Sequence, residues 1–160
     1  MRKLVVLTVS DSRTLADDRS GARAAELLAA GGYEVERRGP VRDDLEPLAA
    51  LVASIVGEDA VDALVITGGT GVAPRDVTPE AVERALEKRL DGFGEEFRRR
   101  SIEQIGLRGM LSRAACGIAR GRVVVALPGS TKAVELGIEL LLGILGHTIE
   151  LARGTPVEHR

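Results

Sequence analysis

Aromatic side chains are almost absent from this 160-residue chain: Tyr33, Phe93 and Phe97 are the whole complement. That removes the stacking platforms on which single-stranded nucleic acids are bound. The net charge is −2, so there is no general attraction to a phosphate backbone and nucleic acid is not expected as a partner. The single cysteine, Cys116, permits no internal disulfide and suits a reducing compartment. Its neighbours Ala114, Ala115 and Ile118 mark it as a small buried residue rather than a reactive thiol. The two histidines, His147 and His159, offer no His/Cys metal constellation. No apolar stretch nears the ~20 residues of a membrane helix. The run Leu4 to Val9 is brief and carries Thr8, so it reads as a first strand rather than a signal peptide. A cytoplasmic protein without a membrane partner is expected.

What is present is ordinary for a globular domain, with 44% apolar and 29% charged residues. The length suits one domain, taken as residues 1–154, with a polar tail at 155–160. Leu4 to Val9, Val61 to Thr67 and Val123 to Leu127 are near-continuous apolar runs of strand length, the pattern of strands covered on both faces. Tyr33 to Arg38 alternates with charge and suits a strand with one wet face. Ala24, Leu27 and Leu28 share one helical face, and Leu45, Leu48, Val52 and Ile55 share another. Asp44 is the N-cap candidate of that second helix, which leaves Asp43 the freer carboxylate. A helix is predicted to run from the Thr78 cap, with Pro79 in its first turn, through Lys88. Asp91 to Gly94 breaks the pattern, and Glu95 to Glu103 is again helical. Phe93 and Phe97 serve as core or subunit-contact anchors. Met110 to Ala119 is strand or irregular. The last helix, Val134 to Leu145, is apolar nearly all round, which points to the interior or to an oligomer contact. Strands alternating with helices predict an α/β fold with three α/β/α layers and a largely parallel central sheet.

The chemistry concentrates where a β-branched run meets Thr67-Gly68-Gly69-Thr70-Gly71, followed by Arg75-Asp76 and a helix start. Strand, glycine loop and helix together aim backbone N–H groups at an anion. The loop has neither Walker nor GxGxxG spacing, and a plain tight turn is the competing reading. Asp76 sharpens the choice: a carboxylate beside a phosphate cradle is unfavourable unless a cation lies between them. Pro128-Gly129-Ser130-Thr131-Lys132 forms a second strand–loop–helix junction. Ser10 and Asp11 follow the first strand at the end where open α/β sheets bind ligands, although Ser and Asp are also common turn residues. On local sequence alone Asp43 and Asp44 read first as helix-capping and helix-dipole residues.

The run Thr67 to Ala81 closely resembles the signature of the MogA/MoaB family of molybdenum cofactor biosynthesis. Thr8 to Ser12, Asp18 to Gly21, Gly92 to Arg98, Leu111 to Ala114 and Leu127 to Ala133 match in the same order. The likeness spans residues 4–153, and the Pro-Gly-Ser-Thr-Lys-Ala form is more similar to the MoaB branch. It implies an α/β/α molybdopterin-binding fold that forms homotrimers or homohexamers. It also implies adenylyl transfer, with Mg²⁺, from ATP to the terminal phosphate of molybdopterin, giving adenylyl-molybdopterin and pyrophosphate. The family's two functional aspartates fall on Asp43 and Asp76, as catalytic residues and metal ligands. The Asp43 match is the looser, because Arg42 stands where a proline often precedes this aspartate. Gly68, Gly69, Thr70 and Gly71 would line the phosphate cradle. Ser112 and Pro128, Gly129, Ser130 and Thr131 would hold the pterin or its phosphate, with Ser10 and Asp11 lining the pocket. The alternative is a non-catalytic molybdopterin-binding or scaffold oligomer of the same pathway. Arg75-Asp76, which some MoaB-type members lack, favours the enzyme.

Overall fold

The computed structural model describes residues 1–155; most of the polar tail, and with it His159, lies outside the described residues. Six strands form one sheet in the order β2-β1-β3-β6-β5-β4. They are β1 (Lys3–Val9), β2 (Glu34–Val41), β3 (Ala63–Thr67), β4 (Lys88–Arg89), β5 (Ala115–Ala119) and β6 (Arg122–Leu127). The four strands β2, β1, β3 and β6 are parallel; at one edge β5 pairs antiparallel with β6, and β4 antiparallel with β5. Among the described residues six α-helices cover both faces: α1 (Arg19–Ala30), α2 (Leu45–Val56), α3 (Thr78–Glu83), α4 (Asp91–Ile105), α5 (Thr131–Leu142) and α6 (Leu145–Ala152).

Strand periodicity explains the layers. Successive side chains of β1 face opposite sides. Leu4 and Val6 pack with Ala24 and Leu28 of α1 and Val134, Ile138 and Leu141 of α5. Val5, Leu7 and Val9 pack with Leu48, Val52 and Ile55 of α2 and with Ala81 and Val82 of α3. A strand buried on both faces must be apolar at every position, and β1, β3 and β6 are nearly so.

Several elements depart from the sequence expectation. The helix after the glycine loop ends at Glu83, and Lys88–Arg89 is instead the edge strand pairing with Ile118 and Gly117. A six-residue helix suffices to bury Ala81 and Val82, and the edge then closes the sheet. Thr78 is not the cap but the first helical residue; Val77 holds the cap position and the Thr78 hydroxyl donates to the Gly68 carbonyl at 2.8 Å. Asp44 sits at the N-cap of α2 without a side-chain capping bond. α4 begins at Asp91, so Gly92 and Gly94 lie inside it. A Cβ at Gly94 would stand 2.7 Å from the Ala114 carbonyl, so the glycine admits close packing of this helix rather than breaking it. The apolar last helix is two helices, parted around Gly143. Met110 to Ala119 is a 3-10 turn (Gly106–Leu111) followed by β5.

Phe93 and Phe97 are core residues under α4, packed with Ala114 and Cys116. Burial pushes the Cys116 thiol up to about 12, as expected of an inert packing residue. Phe97 is among the largest fully buried side chains. Phe97→Ala should cost about 3–5 kcal/mol of unfolding free energy, read as a shift in the urea midpoint. A loss below about 1 kcal/mol would mean that this face of the core is not packed as described.

Candidate active site at the carboxyl edge of the sheet

From β1 the chain moves to β2 on one side, and from β3 it moves towards β6 on the other. The loops after β1 and β3 therefore diverge at the carboxyl edge, which opens a crevice where open α/β sheets bind ligands. A cleft of about 460 Å³ lies there, within the ordinary size of a small-molecule site.

The glycine loop forms one wall. Gly68 and Gly69 have φ of +100° and +71°, a region L side chains rarely enter. A Cβ at Gly68 would stand 2.2 Å from the Val9 carbonyl, and one at Gly69 would stand 2.8 Å from Asp43 Oδ1. The loop's four consecutive carbonyls are all tied back into the protein. Gly68 O accepts from the Thr78 hydroxyl and Gly69 O from the Thr78 N–H. Thr70 O accepts from the Arg113 N–H at 3.0 Å, and Gly71 O from Arg113 Nε at 2.8 Å. In a trans peptide the next N–H points opposite to the carbonyl. The N–H groups of Gly69, Thr70, Gly71 and Val72 are thereby turned away from Thr78 and Arg113, as an anion cradle requires.

Three carboxylates gather on the same rim. Asp11, Asp43 and Asp76 all line the cleft. Asp11 accepts the Asp43 N–H at 3.1 Å and pairs with Arg75 at 2.5 Å. Asp76 Oδ2 accepts the Ala73 N–H at 2.9 Å, which closes the turn between them and leaves Oδ1 uncommitted there. Burial raises the Asp43 pKa, and the like charges of Asp11 and Asp76 raise it further, against a smaller opposing effect of Arg75. Among the described residues no three His, Cys, Asp or Glu side chains converge to cage a metal. Two hard carboxylates facing a phosphate cradle nevertheless fit Mg²⁺, which takes few protein ligands and completes its shell with phosphate and water.

Of the residues singled out in the sequence, the cleft gathers Ser10, Asp11, Asp43, Gly69, Asp76, Gly129 and Ser130. Gly68, Thr70 and Gly71 continue the loop on either side of Gly69 without themselves lining the cleft, and Thr131 lines an adjoining hollow. Pro128 and Ser112 do not line the cleft; the Ser112 hydroxyl is buried without a partner. Arg113, which no sequence argument singled out, holds the loop together. Besides Thr70 and Gly71 it binds the Asp76 carbonyl at 2.8 Å and pairs with Glu80, whose carboxyl that contact holds below its usual range. The available signal was the Leu-Ser-Arg-Ala run, from which only the serine was carried over.

The raised Asp43 pKa sets a sign. Folding favours the protonated form, so the stabilisation from this group is complete below about 3.9, the ordinary Asp value, and is lost as pH rises through the higher folded value. At neutral pH the charged side chain is a net cost in the metal-free protein. Asp43→Asn should therefore raise the metal-free unfolding midpoint at pH 7, with the difference vanishing towards pH 3. A lower midpoint at pH 7 would contradict the crowding of carboxylates.

A family model described as a probable molybdopterin binding domain matches residues 5–147. Molybdenum cofactor biosynthesis protein B of Bacillus cereus is 44% identical over 151 residues, covering 92% of this chain and 89% of that protein. The protein of the same name from Halalkalibacterium halodurans is 40% identical over 149 residues, covering 92% and 88%. The crystal structure of the tungsten cofactor synthesizing protein MoaB from Pyrococcus furiosus is similar at a TM-score of 0.83 and 38% identity, over 95% of this chain and 97% of that one. By the extent of these matches, the chain belongs to the MogA/MoaB family of molybdenum cofactor biosynthesis proteins.

Proposed function

We propose that this protein transfers the adenylyl group of ATP to the terminal phosphate of molybdopterin. The observation that carries the reading is the meeting of Asp43 and Asp76 on the rim of the glycine loop. A phosphate oxygen of molybdopterin attacks the α-phosphorus of ATP; a new P–O bond forms, the α–β bridging P–O bond breaks, and pyrophosphate leaves with its electron pair. Two anions must approach, so catalysis is mainly positioning and charge neutralisation. Backbone N–H groups of Gly69, Thr70 and Gly71 would bind phosphate oxygens without reorganising. Asp43 and Asp76 would hold Mg²⁺, which neutralises phosphate charge when bound. Asp11 holds the Asp43 backbone and Arg75 in place.

Incubation with molybdopterin, ATP and Mg²⁺ should yield adenylyl-molybdopterin and pyrophosphate. Asp76→Ala should lower that yield by at least about 100-fold, the scale of losing a major electrostatic contributor. Equal yields from the two proteins would remove Asp76 from the mechanism. Molybdopterin binding with no ATP turnover in the wild type would identify a non-catalytic binding protein.

Self-association is proposed as well. Ile105, Leu107, Met110 and Leu111, along the end of α4 and the 3-10 turn, are 49%, 76%, 61% and 54% exposed, a concentration that a monomer rarely leaves uncovered. Light scattering should give a mass near three or six times 16.9 kDa. A mass of one chain in dilute solution would refute it.

A further inference from the structure

The loop from β1 to α1 is long and held by little. It runs nine residues, Ser10 to Asp18, where such connections usually take about two to six. It supplies Ser10, Asp11, Ser12, Arg13 and Asp18 to the cleft, and Asp11 in turn holds the Asp43 N–H. Yet every residue from Asp11 to Asp17 is exposed, and neither Leu15 nor Ala16 packs into the core. A segment with so few buried apolar contacts opens locally at little cost unless something else ties it down.

The tie comes from β2. Val35 packs on the layer that α1 covers; Arg37, two residues on, stands on the same face and reaches the start of that helix. Its Nη2 donates to the Leu15 carbonyl at 3.2 Å, the Asp18 carbonyl at 3.2 Å and Asp18 Oδ2 at 3.3 Å. Among the described residues, the bond to Leu15 is the only hydrogen bond that reaches Thr14, Leu15 or Ala16 from another element. Asp18 is the matching anchor. Its fully buried carboxylate also accepts the Thr8 hydroxyl and the Gly21 N–H, so it joins the end of β1 to the start of α1 and to β2. Capping α1 requires no charge, since Ser, Thr or Asn would serve. A buried carboxylate is costly unless a cation meets it, as Arg37 does here. Arg37 Nε is itself buried without a partner, so the guanidinium keeps this pose at a cost of its own. Both costs are intelligible if the task of the pair is to hold the loop.

We propose that Arg37 is a positioning residue: it straps the β1–α1 loop onto Asp18, so that a nucleotide meets a finished cleft wall instead of having to order one. The inference rests on the reading that ATP binds in this cleft, and requires no turnover. Arg37 does not itself line the cleft, so its influence on a ligand passes through the loop.

The test compares wild type with Arg37→Met, which keeps an unbranched stem and loses the donors, at a temperature where both are folded. Amide exchange of the ligand-free proteins, read by mass spectrometry, should be at least about ten-fold faster across residues 12–17 in the variant, with β3 and α5 unchanged. Calorimetry should show ATP with Mg²⁺ binding about ten-fold more weakly, because binding now has to order the loop. A merely structural loss would lower the unfolding midpoint and leave both the loop's exchange and the affinity of the folded protein at wild-type values; that result overturns the proposal. Arg37→Met strands Asp18 as a buried charge. Should too little of it fold, Asp18→Asn combined with Arg37→Met removes that charge, keeps the cap and is read by the same loop exchange. Loss of folding in the double variant as well would make the pair a folding requirement and overturn the strap. A wild type that binds no ATP refutes the function proposed above, while the exchange of residues 12–17 still decides the strap.

Discussion

The site depends on where four carbonyls point. A glycine loop is an anion cradle only if its peptide groups present N–H rather than C=O, and either face is open to glycine. Here Thr78 and Arg113 take the carbonyls of Gly68 to Gly71 between them. Thr78 does so from the first residue of α3, and Arg113 from the segment leading into β5. The orientation of the loop is thus set by two elements that follow it in sequence and pack behind it. Arg113 also binds the Asp76 carbonyl and Glu80, so glycine loop, carboxylate and helix start are tied into one hydrogen-bonded unit.

The sheet supplies the rest. Because β1 and β3 are neighbours whose chains leave in opposite directions, their carboxyl ends meet at a gap. α2 begins on one side of that gap, bringing Asp43; α1 and α5 begin on the other, bringing Ser20 and Ser130. The chemical asymmetry of the cleft follows from which face each crossover helix covers. Asp43 and Asp76 stand on the α2 and α3 side, whereas Ser20 and Ser130, with the capping Asp18, stand on the α1 and α5 side.

Much of this was legible in residues and some was not. The buried parallel strands announced themselves because burial on both faces leaves an unbroken apolar run. The glycine loop was legible as a strand–loop–helix junction because successive glycines allow the positive φ found at Gly68 and Gly69. Boundaries failed where tertiary packing overrode local pattern. Leu86 and Lys88 continue a helical spacing, yet pairing with Ile118 turns that stretch into an edge strand. Gly92 and Gly94 look like breakers, yet α4 needs Gly94 to approach the Ala114 carbonyl. Arg113 has no sequence period to mark it and only the Leu-Ser-Arg-Ala run to point at it: its importance lies in four acceptors that only the fold brings within reach.

The acidic rim is a local conflict that the fold tolerates. The like charges of Asp11 and Asp76 add to the cost of burying an ionised Asp43, and Arg75, 70% exposed at its side chain, offsets it only in part. Nothing in the packing demands Asp43: α2 begins there without help from its side chain, and Asp44 holds the cap position. Gly69, moreover, must stay a glycine in part because the Asp43 carboxylate occupies the space a Cβ would take. A chain selected for stability alone would ease these crowded charges with one neutral residue. Their persistence beside a cradle of N–H donors is intelligible if the missing positive charge arrives with the ligand, so that the cost borne by the empty cleft becomes differential affinity for the loaded one.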